Sequence, residues 1–368
     1  MSAAYRYLLC DLRTDRLIAD LPLDGVTYER RISRPGPLQA KFSAASSQQI
    51  ETARLVHQLA GRAALYVLRN NVAWWGGVLW NARPYQGPRG SVNLDLSGTT
   101  FDSYAHRRIL RENKTYSQTD AGIIIPDLWR WLQSRPEGNI GVLAEDQPTG
   151  NLHDRTYLAA DQSFIGKLIE DMGDLENGPE HTIDVSLDEN GQRVKRLRVA
   201  NRLGAETAQL VFHRTANGSG SITDWSSLAD GTAGGTSFQT RGDAPNGNVG
   251  QQVDPALSQV VERTDLLEAG WPLLDHTEDR PGVTDAATLD GYANANAANL
   301  GGAPVTNSYT VTVGESGWNP NRIGEPVRIK LRDSWHVNTD VTVRPVGCRV
   351  TASQKGTHES IELIFGDE

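Results

Sequence analysis

Two-residue alternation near the carboxy terminus constrains the fold more than any other feature of this sequence. Val327, Ile329 and Leu331 alternate with Arg328 and Lys330. This is the period of a β-strand with one buried face and one solvated face. Further strands are predicted at residues 341–343, 347–351 and 360–365. These segments predict a small antiparallel sheet, closed or nearly closed, with Arg328, Lys330 and Glu362 on its solvated faces.

The composition favours many short strands over a helical bundle. The 368 residues include 36 glycines and 17 prolines, and 38% of the chain is hydrophobic. Such a chain can form two or three cores of ordinary domain size. No stretch approaches the roughly 18 apolar residues that a membrane span needs, and charges interrupt the amino terminus where a signal peptide needs an apolar run. We therefore expect neither a membrane span nor an export signal.

The net charge of −9 argues against nucleic-acid binding through a broad basic face. The chain has thirty arginines and six lysines. This ratio indicates the codon bias of a GC-rich genome and says nothing about the chemical function of the protein. The two cysteines, Cys10 and Cys348, lie in predicted strands at opposite ends of the chain. The pattern favours two reduced, buried thiols, and a disulfide between the terminal strands is the alternative.

The amino-terminal part is predicted to be a β-unit with one helix. Residues 63–69 and 72–85 form its clearest hairpin, with Asn70-Asn71 as the turn. Trp74, Trp75 and Trp80 lie in the second strand. A short helix is predicted within residues 46–59, and a second at 99–112, capped by Thr99 or Thr100.

The middle of the chain mixes helices and strands. Helical spacing appears in residues 127–133, 161–172, 257–268 and 285–300. A hairpin is predicted from residues 183–187 and 194–199 around the turn Asp188–Gly191. Residues 217–248 are rich in Gly, Ser, Thr and Asp, and we expect a long surface loop or an arm that orders against a partner.

The sequence carries no pattern that supports catalysis or a metal site. The histidines (57, 106, 153, 181, 213, 276, 336 and 358) include no HxH or HxxxH pair, and no CxxC is present. Gly314-Glu315-Ser316-Gly317 lacks the spacing of a nucleophile elbow and is interpreted as a turn. Neither residues 171–176 nor Asp188–Gly191 has the alternating oxygen ligands of a calcium loop. Arg241-Gly242-Asp243 matches an adhesion tripeptide that also occurs by chance. No catalytic, cofactor-binding or metal-binding residue is predicted, and the chain is not expected to be an enzyme.

The tryptophans allow two interpretations, core packing or a sugar-binding platform. Trp74 and Trp75 are adjacent, so they must point to opposite faces of a strand. The sequence favours a structural use, with one in the core and the other covered by a neighbouring domain or subunit. Trp129 and Trp131 share one predicted helix.

Several segments together resemble the tail hub proteins of long-tailed bacteriophages, with the minor tail proteins of actinobacteriophages as the most similar group. The hairpin at residues 67–84, followed by residues 91–110, resembles their first domain, in which an aromatic-Gly-Gly strand precedes an arginine-bearing helix. Residues 282–300, 307–313 and 322–331 resemble their closing portion. No site residue is carried over from this resemblance.

The resemblance implies a mainly β fold with α (α+β), with two tail-tube-like β-barrel domains and a helical intermediate region. Residues 1–115 would form the first barrel, and residues 181–216 with 305–368 the second. Residues 116–180 would be the helical intermediate domain, and 217–304 a loop and helical extension.

The implied function is structural: a homotrimeric hub at a phage tail tip that adapts a sixfold tail tube to a threefold tip. The implied partners are the tail tube or distal tail protein and a central fibre or spike protein. The tape-measure protein is an additional candidate partner. Membrane and sequence-specific nucleic acid are not among them. The implied localisation is the virion tail tip, after assembly in the host cytoplasm. The alternative is a carbohydrate-binding tail adhesin that recognises the host cell surface. A wall hydrolase would need a catalytic set that the sequence lacks.

Overall fold

A computed structural model describes residues 3–87, 90–175, 177–204, 207, 210–244, 254–280, 282–313, 317–354 and 358–365. The contacts of the chain define two compact units. Unit 1 comprises Met1–Glu170, Pro179–Trp225 and Ser308–Phe365. Unit 2 comprises Asp171–Gly178, Ser226–Asn307 and Gly366–Glu368. No helix in the described ranges is long and apolar enough to cross a membrane.

Strands dominate every part of the chain. The first elements are β1 (Tyr5–Asp11), β2 (Leu17–Asp20), β3 (Leu23–Arg31), β4 (Pro37–Ala44), α1 (Ser47–Gln58), β5 (Ala63–Arg69), β6 (Val72–Gln86) and β7 (Val92–Thr100). The next are a 3-10 helix (Phe101–Arg107), β8 (Lys114–Asp120), α2 (Ala121–Leu132), a 3-10 helix (Pro136–Gly138), β9 (Val142–Leu143), β10 (Leu152–Tyr157), a 3-10 helix (Ala159–Asp161), α3 (Ile165–Gly173), β11 (Glu180–Leu187) and β12 (Arg193–Ala200).

The remaining elements complete both units. They are β13 (Leu210–Arg214), β14 (Ile222–Ala229), β15 (Ser237–Arg241), β16 (Val261–Glu262), α4 (Thr264–Glu268), β17 (Asp275–Asp279), α5 (Ala286–Asn299), β18 (Val305–Val311), a 3-10 helix (Pro320–Arg322), β19 (Val327–Leu331), β20 (Thr339–Val343), β21 (Gly347–Thr351) and β22 (Ser360–Phe365). The predicted class, mainly β with α, is confirmed.

A single eleven-stranded sheet joins the two ends of the chain. Its order is β14-β18-β22-β21-β3-β4-β7-β6-β5-β1-β2. Strand β21 pairs antiparallel with both β22 and β3, with Gly347 opposite Arg31 and Thr351 opposite Thr27. The expectation of one small antiparallel sheet, closed or nearly closed, at the carboxy terminus is therefore wrong, because β21 and β22 continue the amino-terminal sheet. The preceding strands β19 and β20 form another sheet with β13, which runs parallel to β19.

Alternation along the strands builds the core of unit 1. Val327, Ile329 and Leu331 of β19 are buried, whereas Arg328 and Lys330 are exposed, as the sequence predicts. Each such side chain contributes about 1.5–3 kcal/mol when it leaves water. The alternation sets only which face is buried; the neighbouring strands are chosen by the tertiary structure.

Two local predictions are confirmed by their hydrogen bonds and backbone angles. Ser46 and Gln49 form a reciprocal capping box at the start of α1, within the predicted segment. In the β5–β6 turn, Asn70 and Asn71 have φ values of 49° and 63°. Asn tolerates this left-handed region, which a two-residue hairpin turn requires. The β11–β12 hairpin around Asp188–Gly191 is also present.

Two other local predictions need correction. The helix expected at residues 99–112 is a short 3-10 helix, Phe101–Arg107, and Thr100 makes no side-chain capping bond there. Residues 217–248 are not a loop throughout, because β14 and β15 lie within them. Their last part, residues 245–248, lies outside the described residues.

The predicted domain ranges divide the chain differently from the two units. Hydrogen bonds join β11 and β12 to β9, not to β13, β19 or β20 with which the prediction groups them. The four ranges remain predictions about which segments form each barrel.

Unit 2 has its own small core. Strand β15 pairs antiparallel with β16 and parallel with β17, and α5 packs against β15. Phe238 of β15 and Leu289 and Tyr292 of α5 are buried. Asp285 caps α5, since its carboxylate accepts from Thr288 N over 2.8 Å, as expected for an aspartate at this position.

Both cysteines are free and buried, which confirms the favoured interpretation. Burial raises the pKa of Cys10 to about 11 and that of Cys348 to about 12. Both thiols are therefore protonated and unreactive near neutral pH.

Candidate assembly surfaces

The Trp74-Trp75 pair is part of the core of unit 1. Trp75 is fully buried, and its Nε1 donates to Glu29 O over 3.0 Å. Trp74 is also buried, packs edge-to-face on Trp318 at 6.2 Å and lies 4.5 Å from the Arg69 guanidinium. The structural use of the pair is as predicted. Both rings are buried within unit 1, however, whereas a neighbouring domain or subunit was expected to cover one of them. Neither ring can serve as a sugar platform.

The other predicted tryptophans are also anchored by hydrogen bonds or burial. Trp80 Nε1 donates to Ser103 Oγ over 2.9 Å. In α2, Trp129 is buried, and Trp131 is partly exposed and donates to Glu112 Oε2 over 2.7 Å. Trp131 lines an open cavity of about 560 Å³, whereas Trp129 lines a small cavity with Asp102 and His181.

The junction between β3 and β21 is held by charged side chains. Glu29 accepts from Arg349 Nε over 2.8 Å and from Arg31 Nη2 over 2.5 Å. Arg349 also donates to Glu362 over 2.9 Å. Burial raises the pKa of Glu29, but the bonds from Arg349 and Arg31 outweigh burial and hold it below its ordinary value. This network ties the predicted surface residue Glu362 to the first part of the chain.

A buried arginine, which the sequence did not reveal, fixes β3 against β11. Arg30 Nη2 donates to Thr182 Oγ1 over 2.9 Å, to Ile183 O over 3.1 Å and to Asp184 Oδ1 over 2.9 Å. An arginine this deep is stable only when its donors are satisfied. Unit 1 is therefore stabilised across its sheets as well as within them.

The solvated face of the β13-β19-β20 sheet carries Arg328 and Lys330, as the sequence predicts. Arg328 contacts Asp340 through two bonds of 2.6 and 2.8 Å, and Lys330 lies 3.8 Å from the same carboxylate. Both cations are exposed. Exposed pairs of this kind stabilise the fold little, and the charged groups of this face are in contact with solvent.

An exposed aromatic loop lies beside this sheet, between β19 and β20. Trp335 is 74% exposed and Val337 78% exposed. The loop is nevertheless well held, because Asp333 accepts from Trp225 Nε1 over 2.9 Å and from His336 N over 2.7 Å. The sequence does not reveal this cluster, because Trp225 and Asp333 lie 108 residues apart and meet only in the fold.

A polar groove lies next to this loop. It has a volume of about 850 Å³, and its lining includes Arg332, Asn338 and Thr339 from the ends of the loop, together with Asn217 and Ser219. Groups of this kind can hydrogen-bond a polar ligand.

The structure shows what the motifs rejected as functional sites do in the fold. Asp188 accepts from Asn190 N and Gln192 N, which makes it a turn residue. Gly242 N and Asp243 N are hydrogen-bonded to neighbouring backbone, so the adhesion tripeptide is fixed at the end of β15. Ser316 and its two preceding residues lie outside the described residues, as does Glu176. Among the residues that are described, no group of three or more His, Cys, Asp or Glu is placed to hold a metal ion.

Several solved structures of tail proteins share this fold. A tail protein from Neisseria meningitidis MC58 superposes with a TM-score of 0.59 at 12% identity, over 99% of this chain and 97% of the other. The 43 kDa tail protein of prophage MuSo2 from Shewanella oneidensis gives 0.60 at 10% identity, over 99% and 100%. Prophage tail protein gp18 from Listeria monocytogenes EGD-e gives 0.50 at 10% identity, over 99% and 94%.

The likeness is one of fold, because all three identities are low. No family model and no curated protein matches this sequence. The shared architecture extends over nearly the whole of each chain, so it includes both units rather than one common domain.

Proposed function

We propose that this chain is a structural protein of a bacteriophage tail. The observation that carries the proposal is the full-length likeness to three tail proteins, each covered over 94% or more of its own length. A likeness confined to one β-domain would support much less, since single β-architectures serve many functions.

Within the tail we assign it to the tip, as a homotrimeric hub that adapts the sixfold tube to a threefold tip. Its partners would be the tail tube or distal tail protein on one side and a central fibre or spike protein on the other, with the tape-measure protein as a further candidate. Assembly would take place in the host cytoplasm, and an actinobacteriophage is the proposed source. These details rest on the sequence resemblance.

The two-barrel arrangement is also part of the proposal. The observed strand order supports a continuous curved sheet to which both ends of the chain contribute. Among the described residues, the edge strands β2, β14 and β20 each pair with one neighbouring strand only. Pairing such edges across subunits would cover their free backbone groups.

Sedimentation equilibrium or mass photometry of the purified chain tests the trimer. The expected species has the mass of three 40.2 kDa chains. A strict monomer at high concentration, together with a tail map that lacks threefold density for this chain, would overturn the hub assignment. A map with the chain at another tail position would leave the structural role intact and move it from the tip.

The aromatic loop favours one alternative, a carbohydrate-binding tail adhesin. Exposed indole rings stack on sugars, and Trp335 is held in an exposed position beside a polar groove. Binding to a glycan array that is lost in Trp335→Ala and kept in Leu273→Ala would favour the adhesin. Leu273 is a matched control because it is 60% exposed and lies in unit 2.

We also propose that the chain is not an enzyme. Peptidoglycan zymography tests the nearest enzymatic alternative, a wall hydrolase. A cleared band at the mass of the intact chain would show that the protein is an enzyme and would refute this proposal.

A further inference from the structure

One open cavity of unit 1 is lined by arginines. It has a volume of about 560 Å³, and Arg107, Arg108, Arg111 and Arg135 all contribute to its wall, as does Trp131. The first three lie at and beyond the end of the 3-10 helix Phe101–Arg107, and Arg135 follows α2. The fold thus collects into one place guanidinium groups from two separate segments.

One of these arginines is fixed in position. Arg108 Nη1 donates to the Tyr104 hydroxyl over 3.2 Å, and that hydroxyl donates to Gly138 O over 3.2 Å. A side chain at residue 138 would place its Cβ 2.5 Å from Arg108 Nη1. Glycine at this position therefore leaves the space that the guanidinium occupies.

Two other arginines of the cavity have no counter-charge. The side chains of Arg107 and Arg111 are exposed, and neither makes a hydrogen bond or an ion pair with any residue that the structure describes. Arg135 has Glu137 at 3.7 Å, and both of these side chains are largely exposed. Elsewhere in unit 1, arginines such as Arg30 and Arg349 have close carboxylate partners.

The local charge opposes that of the whole chain. Arg13 Nη2 donates to Pro136 O over 3.1 Å, which adds a fifth guanidinium at the rim. Among the residues that line the cavity, four are arginines and one, Glu137, is acidic, and Glu112 outside the lining accepts from Trp131. A cluster with a surplus of three positive charges therefore lies on a chain whose net charge is −9. Such a concentration raises the local concentration of anions.

We propose that this arginine cavity binds a phosphate ester of small-molecule size. A phosphate group carries nearly two charges and several acceptor oxygens in a compact volume, so it can satisfy the donors of more than one guanidinium at once. A single carboxylate carries about half the charge of a phosphate group, so it would neutralise fewer of the arginines. Trp131 provides an apolar wall for the organic part of the ester, and 560 Å³ lies within the usual range of ligand pockets. This inference does not depend on the proposed tail function.

Calorimetric titration with ADP and with inorganic pyrophosphate tests the site, in EDTA-containing buffer at low salt. Both probes should bind the full-length chain, and binding should weaken as salt rises. The double variant Arg107→Ala/Arg111→Ala should lose at least tenfold in affinity for both. Its thermal unfolding should stay unchanged, because neither side chain has a described partner. Arg54→Ala/Arg241→Ala is the matched control, since it removes two exposed arginines outside the cavity.

A second variant tests the apolar wall. Trp131→Ala should weaken ADP more than pyrophosphate, because only ADP has an organic part. The proposal is overturned if neither probe binds, if the cavity and control variants lose affinity equally, or if sulfate binds as tightly as pyrophosphate. That last result would mean an adventitious ion only.

Discussion

Arg349 donates to Glu29 over 2.8 Å across the paired strands β21 and β3, and the two residues lie 320 positions apart in the chain. Glu29 is 7% exposed and also accepts from Arg31. One carboxylate thus joins the first and last parts of the chain at the strand pair that makes a single sheet of them.

Replacement of this carboxylate should weaken unit 1. We expect Glu29→Ala to lower the free energy of unfolding by about 1–3 kcal/mol, because its charge-assisted bonds to Arg31 and Arg349 are lost and only Arg349 keeps a second carboxylate, Glu362. Denaturant unfolding measures the change. Arg83→Ala, which removes an exposed pair with Asp95, is the control and should cost less than about 1 kcal/mol. Equal losses in the two variants would mean that the Glu29 junction contributes nothing special.

The buried carboxyl of Asp102 should make stability depend on pH. Burial raises its pKa to about 6, although the positive charges of Arg30 and His106 and the hydroxyl of Thr100 act in the opposite direction. In the unfolded chain an aspartate has a pKa of about 3.9. The folded chain therefore binds the extra proton, and this contribution to stability is complete below pH 4 and is lost as the pH rises through 6.

Asp102→Asn, which imitates the protonated form, should consequently be more stable than the wild type above pH 7, by about 2–3 kcal/mol. The advantage should shrink on acidification. Unfolding free energies between pH 4.5 and 8 measure this. Asp102 shares a small cavity with other titratable residues, including Glu170 and His181. Asp340 lies outside this cavity, so Asp340→Asn serves as the control. That exposed carboxylate, whose pKa Arg328 lowers, should give a difference that is flat over this range. A flat difference for Asp102→Asn too would contradict the prediction.

Arg280 should be essential to the stability of unit 2. It is 4% exposed, contacts Asp171 at 2.8 Å and Glu278 at 2.8 Å, and lies 4.1 Å from the Tyr292 ring centroid. We expect Arg280→Met to destabilise the unit by about 3 kcal/mol, because neighbouring carboxylates lose their shared counter-charge.

Hydrogen exchange over β15 and α5 reports this loss for unit 2 separately from unit 1. Arg241→Met removes an exposed arginine of the same unit, 3.9 Å from Asp279, and should change exchange little. Unaltered exchange in Arg280→Met would exclude the proposed role.

Gly77 should tolerate no side chain. A Cβ there would overlap the Thr99 carbonyl oxygen and lie 2.5 Å from Trp75 Cη2. Both obstacles belong to the packed sheet and cannot move away, so Gly77→Ala should cost about 3 kcal/mol. Gly231→Ala, where a Cβ meets open space, should be neutral in the same thermal unfolding assay. A mild effect at Gly77 would mean that β6 and β7 can separate without loss.

The amino-acid sequence by itself determined the local structure of this protein. The alternation of Val327, Ile329 and Leu331 set the buried face of β19, the Asn70-Asn71 pair set a hairpin turn, and Ser46 with Gln49 set the start of α1. These signals involve residues a few positions apart, so they can be read without knowledge of distant contacts.

Only the tertiary structure decided which strands are neighbours and which side chains form the candidate surfaces. The sequence does not say that β21 pairs with β3, or that β19 runs parallel to β13. Nor does it reveal that Trp225 supports the Trp335 loop, or that Arg107 and Arg135 line one cavity. Alternation determines which face of a strand is buried, but it does not distinguish among the strands that could pair with it in a suitable register. The choice among partners depends on burial and charge pairing summed over the whole fold.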